Sequence, residues 1–429
     1  MSAILSYNPA RSPSQETNAR VGNRTRQRPL RVFMMDLLSI VPYYDGHLCS
    51  ALAQEEGVCV QLGAITYPYD RSYFRRHRVR NNPGLLDIAS RLPFPAGVLR
   101  PLKALECLVN LAALAVRFVF SRPDLIHVQF IPLVTYVPIE LWFLRAARAL
   151  GVKVVYTVHN VLPPDMGIQH KATYEAVYRL ADALICHDER AKQRLVHEFA
   201  IYPNRIRVIS HGPLFDNTWF DNTRAITPSE ARATVGVPPD ECLVLFQGIL
   251  NPYKGVFFLL KAWQCVCASG VQARLAVVGN GSKEHLRELR ETVTGLGITD
   301  SVRLELRFVS LEELRSWYLA ADIAVYPYSN STTSGALMTG INFGKPVVAT
   351  TLPAFQQILR HGEEALLVDY GDVEGLSRAL SRLIRDECLR QQMGARINEL
   401  RASTPAWSTI AKQTRACYED LTVGMSHGN

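Results

Sequence analysis

The sequence predicts an α/β protein built as two doubly wound domains that face each other across a cleft. Three observations lead to this. Short apolar runs alternate with amphipathic stretches from Leu30 to near the end of the chain, as parallel strands covered by helices do. A chain of 429 residues is too long for one ordinary core and suits two domains of roughly 200 residues each. Midway, the polar, turn-rich stretch from Gly212 to Pro239 keeps neither helical nor strand periodicity and reads as a join. The predicted domains are residues 30–212 and 213–404, with a tail over 1–29 and a last helix and tail over 405–429.

The elements follow in chain order. Apolar, β-branched runs predict strands near residues 31–36, 58–65, 124–130, 152–158, 183–187 and 206–209, with helices over 46–56, 100–120, 135–150, 171–181 and 188–199. In the second half, strands near 242–247, 273–278, 302–308, 322–326, 346–349 and 365–368 interleave with helices in the same way. Ser310 and Glu313 have the spacing of a helix N-cap and its capping-box partner. The run "ALECLVNLAALAVRFVF" is short of the roughly 20 apolar residues that span a membrane. It also carries Glu106, Asn110 and Arg117, so it predicts a buried helix.

Charge and cysteine usage narrow the class. The 47 Lys and Arg exceed the 39 Asp and Glu, giving +8, which favours an anionic partner or simply marks a basic soluble enzyme. The nine cysteines form no CxxC pair, and Cys265 and Cys267 are too close and isolated for a zinc site. They read as reduced thiols of a cytoplasmic protein. The first residues lack an apolar stretch and carry Arg11, Arg20, Arg24, Arg26 and Arg28 against Glu16, so they predict a disordered basic tail rather than a signal peptide.

Two loops in the second half have the composition of anion sites. In "LVLFQGILNPYKGVFFLLKAW" a strand ends at Gln247 and Gly248, turns at Pro252, and presents Lys254 and Gly255 ahead of a helix. In "ADIAVYPYSNSTTSGALMTGINFGKPVVAT" a small-residue loop through Thr333, Ser334, Gly335 and Ala336 opens another helix. A helix that starts with small residues offers unpaired N–H groups and the positive end of its dipole to a phosphate. Each junction alone is ordinary in α/β proteins, whereas the two in this order point to one pyrophosphate. Between them, "VVGNG" places Gly279, Asn280 and Gly281 after a strand, where glycines permit close approach to a base or ribose.

At "GILNPYKG", "VVGNG", "RFVSLEELRSWYLAADIAVYPY" and "SGALMTGINFGKPVVAT" the chain resembles the group 1 (family 4) glycosyltransferases, over roughly residues 30 to 422. The resemblance implies the GT-B architecture of two Rossmann-like domains, with a UDP- or GDP-sugar on the second and the acceptor on the first. It implies that Lys254 contacts the diphosphate and that the N–H groups of Ser334, Gly335 and Ala336 hold its distal phosphate. Gly248, Phe308 and Val309 join the donor site, and the last helix crosses back to the first domain. Within the family the motifs look closest to bacterial exopolysaccharide transferases, mannosyltransferases of xanthan assembly included. The family's paired glutamates fall at Ser331 and Thr339, which leaves Thr339 a hydroxyl for the ribose and favours inversion, against the family's usual outcome.

The first half supplies the remaining candidates. "VKVVYTVHNVLPPD" delivers His159 and Asn160 just past a strand, where ligands bind in such sheets. A lone histidine is commonly structural, but the family has a donor-contacting His here, and a neutral imidazole can accept a proton near pH 7. "MMDLLSIVPYYDGHL" brings Asp45, Gly46 and His47 toward the cleft; Asp45 and His47 are candidate acceptor-activating bases, or Asp45 is a helix cap, and Gly46 matches the family's phosphate-approaching glycine. Arg71, Arg75, Arg76, Arg78 and Arg80 interleave with Tyr69, Tyr73 and Phe74; such a loop suits an anionic membrane surface in preference to nucleic acid, or is only solvated.

The expected function is transfer of a sugar from a nucleoside diphosphate sugar to a carbohydrate acceptor, of lipid-linked oligosaccharide type, at the inner membrane face. No D-x-D pair is present for a divalent cation, so neither metal nor cofactor is expected. Rival readings are a sugar-nucleotide epimerase of similar fold and a non-catalytic subunit that recruits a transferase.

Overall fold

The computed structural model describes residues 28–422 apart from 69, 93, 95, 163–167, 215–225 and 332–333. Most of the predicted basic tail, Tyr69 and Thr333 therefore lie outside the described residues. The first domain runs β1 (Leu30–Met35), α1 (Pro42–Leu52), β2 (Val58–Gly63), α2 (Tyr73–Arg76), α3 (Ala96–Phe120), β3 (Leu125–Val128), α4 (Ile139–Ala149), β4 (Lys153–Val158), α5 (Lys171–Leu180), β5 (Ala183–Cys186), α6 (Glu189–Phe199) and β6 (Ile206–Val208). After α7 (Pro228–Val235) the second domain runs β7 (Cys242–Gln247), α8 (Val256–Ala268), β8 (Ala273–Val278), α9 (Lys283–Gly295), β9 (Val302–Glu305), α10 (Leu311–Ala320), β10 (Ile323–Tyr326), α11 (Gly335–Asn342), β11 (Val347–Thr350), α12 (Pro353–Gln356) and β12 (Ala365–Val368). Three helices close the chain: α13 (Val373–Arg385), α14 (Glu387–Ser403) and α15 (Trp407–Thr422).

Each domain holds a six-stranded sheet, ordered β2-β1-β3-β4-β5-β6 and β12-β11-β10-β7-β8-β9. All strand pairs are parallel. Strands covered on both faces are largely apolar, and β3, β5, β10 and β11 are buried at every position. The predicted α/β fold of two doubly wound domains is therefore the observed one.

Apolar packing also joins the domains. One buried cluster combines Tyr44 and Leu48 of α1 with Leu245, Val309 and Trp317 of the second domain and with Trp407, Ile410 and Tyr418 of α15. Helix α15 lies back on the first domain against α1. Tyr418 Oη is 2.6 Å from His127 Nδ1, Trp407 Nε1 donates to Pro213 O at 2.7 Å, and Arg207 pairs with Asp420 at 3.0 Å.

Several boundaries differ from the sequence reading, for identifiable reasons. Helix α1 starts at Pro42 rather than residue 46, because proline presets the first helical φ and the Asp36 carboxylate accepts from Val41 N at 2.8 Å. The join is not structureless: Thr227 and Glu230 form a capping box that opens α7. Helix α3 is buried on one face only. Cys107, Leu111, Leu114 and Phe118 pack inward, whereas Leu105, Val109, Val116 and Phe120 face outward, Phe120 with 85% of its surface exposed. The Arg71–Arg80 loop keeps its charges outside, but Tyr73 and Phe74 of α2 are buried in the core, so the expected exposed interleaving of arginine with aromatics does not occur at these two.

Candidate active site

The turn after β7 is shaped by what its backbone must avoid. Gly255 has φ +69°, and a Cβ there would lie 1.9 Å from Pro327 O. This close approach folds Lys254 inward, where it is 9% exposed, with Nζ 3.8 Å from the Tyr328 ring centroid and 5.2 Å from that of Tyr253. Among the described residues no carboxylate forms an ion pair with it. Burial lowers the pKa of Lys254, partly opposed by Tyr253. A largely desolvated ammonium with aromatic faces for company is a strong attractor of an anion.

The second anion element is the start of α11. Ser334 caps it, accepting from Leu337 N at 3.2 Å, and Tyr326 Oη donates to Ala336 O at 2.9 Å, anchoring the first turn. Beside it, Gly279 packs so closely that an added Cβ would lie 1.8 Å from Gly248 O. On the next strand end, Phe308 and Val309 precede Ser310, which forms the predicted capping box with Glu313.

These pieces converge. Gly248, Lys254, Gly279, Asn280 and Gly281 line one cavity of about 520 Å³, together with Phe308, Val309, Gly335, Ala336 and Thr339. The Thr339 hydroxyl donates to Gly335 O at 2.7 Å. Sequence reasoning missed Tyr43 and Tyr67, which the first domain contributes, and Asn251, Ser282 and Arg307. Asn251 lies within the "GILNPYKG" motif and Ser282 directly follows "VVGNG"; the tyrosines carry no local signal, since only domain packing brings them there. Arg307 is a cation at the rim whose charge is met by Glu305 at 2.6 Å and by Glu313.

The first-domain candidates divide. His159 and Asn160 follow β4 directly but do not line this cavity. Ser334 lines a second, smaller cavity of about 190 Å³, with His187 and His211. Three expectations need correction. Asp45 is neither a cap nor at the cleft mouth: it is fully buried inside α1, and burial with the neighbouring Asp36 charge raises its carboxyl well above the usual range. Gly46 is buried within the same helix, not in a loop near phosphate. His47 is buried, its Nε2 2.6 Å from Leu214 O and its ring stacked on Trp407 at 4.9 Å, so it ties segments together. Two of the three proposed bases are thus withdrawn.

Residues 47–212 match the domain family Glycosyltransferase Family 4, and residues 241–386 match Glycosyl transferases group 1. The chain belongs to the group 1, family 4 glycosyltransferases. Its facing sheets are the GT-B architecture of this family. This glycosyltransferase is 29% identical over 256 residues to the D-inositol 3-phosphate glycosyltransferase of a Nocardioides species, covering 57% of this chain and 55% of that protein. It is 27% identical over 293 residues to the protein of the same name from Thermomonospora curvata, covering 64% of this chain and 67% of that one. The alignment thus spans little more than half of the Nocardioides protein. Among solved structures, a Rickettsia africae glycosyltransferase superposes with TM-score 0.70 at 13% identity, covering 94% of this chain and 100% of that one. Anabaena HepE, solved with UDP and glucose, gives 0.67 at 18% identity, covering 91% and 100%.

Proposed function

We propose that this glycosyltransferase moves a hexose from a nucleoside diphosphate sugar to a carbohydrate acceptor, in the manner of polysaccharide or glycolipid synthesis. One observation carries the reading: a single cavity collects a buried lysine with no carboxylate partner among the described residues, the start of a helix, and two glycine-bearing strand ends. In this reading the diphosphate lies between Lys254 and the N-terminus of α11, the nucleoside lies along Gly279–Gly281 and Phe308–Val309, and the sugar points toward His159. Charge that develops on the leaving diphosphate falls on Lys254 and on the α11 N–H groups, so the transfer step is read as needing no divalent cation. HepE was solved with UDP, which supports a uridine donor, and the inositol phosphate relatives add a phosphorylated polyol to the acceptors worth testing.

Family membership favours transfer over epimerisation. The outward apolar face of α3 and the exposed Arg71, Arg75, Arg78 and Arg80 support a lipid-linked acceptor met at the inner membrane face. No helix among the described residues is long and apolar enough to cross a membrane. The test is a thermal-shift panel of UDP, GDP, ADP and their sugars, followed by turnover with the donor so identified. Lys254→Ala should lower turnover at saturating donor by at least ~10²-fold with the fold intact. Near wild-type turnover would remove Lys254 from the leaving-group site.

A further inference from the structure

The carboxyl ends of three neighbouring strands carry a histidine each. His159 follows β4 directly, His187 follows β5 directly, and His211 lies just beyond β6. Strands β4, β5 and β6 are adjacent in the sheet, so three rings are delivered side by side from a rigid scaffold. One nitrogen of each ring lies within 4.8 Å of the others, and His187 Nε2 is 3.4 Å from His159 Nδ1. At the usual zinc–nitrogen bond length of about 2.0–2.1 Å, two ligands of a tetrahedral ion are about 3.4 Å apart. That pair already has ligand spacing.

The surrounding hydrogen bonds set the tautomers. Gln129 Oε1 lies 3.0 Å from His159 Nε2, Ile209 O lies 3.1 Å from His187 Nδ1, and Gly212 O lies 2.7 Å from His211 Nδ1. Each acceptor oxygen calls for an N–H on the nitrogen it faces, so the lone pairs sit on His159 Nδ1, His187 Nε2 and His211 Nε2. An imidazole whose far nitrogen donates to an oxygen is the arrangement that orients metal-binding histidines and makes them more basic ligands. We propose that His159, His187 and His211 form a three-histidine site for a borderline divalent transition metal of the zinc type.

Three imidazoles suit zinc, cobalt or nickel, and exclude magnesium and calcium, which take oxygen ligands. The Asp188 carboxylate, next in sequence, caps α6 by accepting from Ala191 N at 2.7 Å and is not a fourth ligand. His187 and His211 open on the 190 Å³ cavity that Ser334 also lines, which leaves room for a fourth ligand beside the start of α11.

The experiment titrates the chelator-treated, full-length protein with Co²⁺ at neutral pH and follows the visible bands of the tetrahedral ion, then displaces it with Zn²⁺. One ion per chain is expected, with nitrogen-type bands. His187→Gln and His211→Gln should each abolish the bands, and Gln129→Ala should weaken Zn²⁺ binding by about 10- to 100-fold through loss of the outer hydrogen bond. Circular dichroism of each variant checks its fold. Absence of tetrahedral bands in the wild type overturns the site, whatever the variants do. So do thiolate charge-transfer bands, which would place the ion on cysteine, or binding that survives both histidine substitutions.

Discussion

Lys254 and Glu140 show how one physical term, burial, acts differently by context. The lysine is buried against aromatic faces beside an open cavity, so its desolvation is available to be relieved by a bound anion. Glu140, near the start of α4, is fully buried, accepts from Leu133 N at 3.0 Å, and has its pKa pushed up to about 8 by desolvation. A carboxyl raised from 4.5 in the unfolded chain to about 8 when folded keeps its proton in the native state while the unfolded chain has lost it. Stability from this group is therefore complete below pH 4.5 and declines as pH rises toward 8. Glu140→Gln, which is neutral at every pH, should flatten the fall in melting temperature between those limits and raise stability at the upper one. An unchanged slope in calorimetry would assign the pH dependence to other buried acids, such as the Asp36 and Asp45 pair.

Helices carry the next level of specificity, and α3 is the instructive one. Its inward residues repeat at helical spacing and so do its outward apolar ones, a distribution costly to leave in water unless something covers it. The Arg71–Arg80 loop offers charge without exposed Tyr73 or Phe74, and Arg76 is already engaged by Asp70 and by Glu312 of the second domain at 3.6 Å. The two features make separable contributions to membrane binding. Val116→Ser with Phe120→Ser should reduce flotation with neutral and anionic vesicles alike. Arg75→Gln, Arg78→Gln and Arg80→Gln together should reduce binding to anionic vesicles alone, by about 1 kcal/mol per charge at low salt. Flotation unaffected by both sets would leave α3 and the loop without a membrane role.

At the scale of the molecule, the two domains are tied by a segment that follows the second domain directly and lies far from the first in sequence. Helix α15 buries Trp407 and Tyr418 against the first domain, and the Tyr418 hydroxyl meets the fully buried His127, whose other nitrogen is 2.6 Å from Thr157 Oγ1. Tyr418→Phe keeps the packing but strands a buried ring nitrogen, which should cost about 1–3 kcal/mol. Arg207→Ala, which breaks an exposed pair with Asp420, should cost about 0–1 kcal/mol. Equal effects of the two in chemical denaturation would mean that the buried bond is not what holds α15 down.

Strand alternation, the Lys254 and Ser334–Ala336 loops and the Ser310–Glu313 box were readable because each depends on residues close in sequence. Their backbone is shaped by glycine, by capping and by apolar period, all of which act over a few residues. The same local logic puts Gly248 and Gly279–Gly281 just past strand ends and Gly335, Ala336 and Thr339 in the helix that follows β10, and the structure gathers them around one cavity. It misplaced Asp45, Gly46 and His47, since the start of α1 is decided jointly by Pro42 and by a carboxylate from the end of β1. Nor could it assemble Tyr43 with Lys254, or His159 with His187 and His211. These meet only when parallel strands are set side by side and α15 closes on α1, because distance in space within such sheets follows strand order rather than position in the chain.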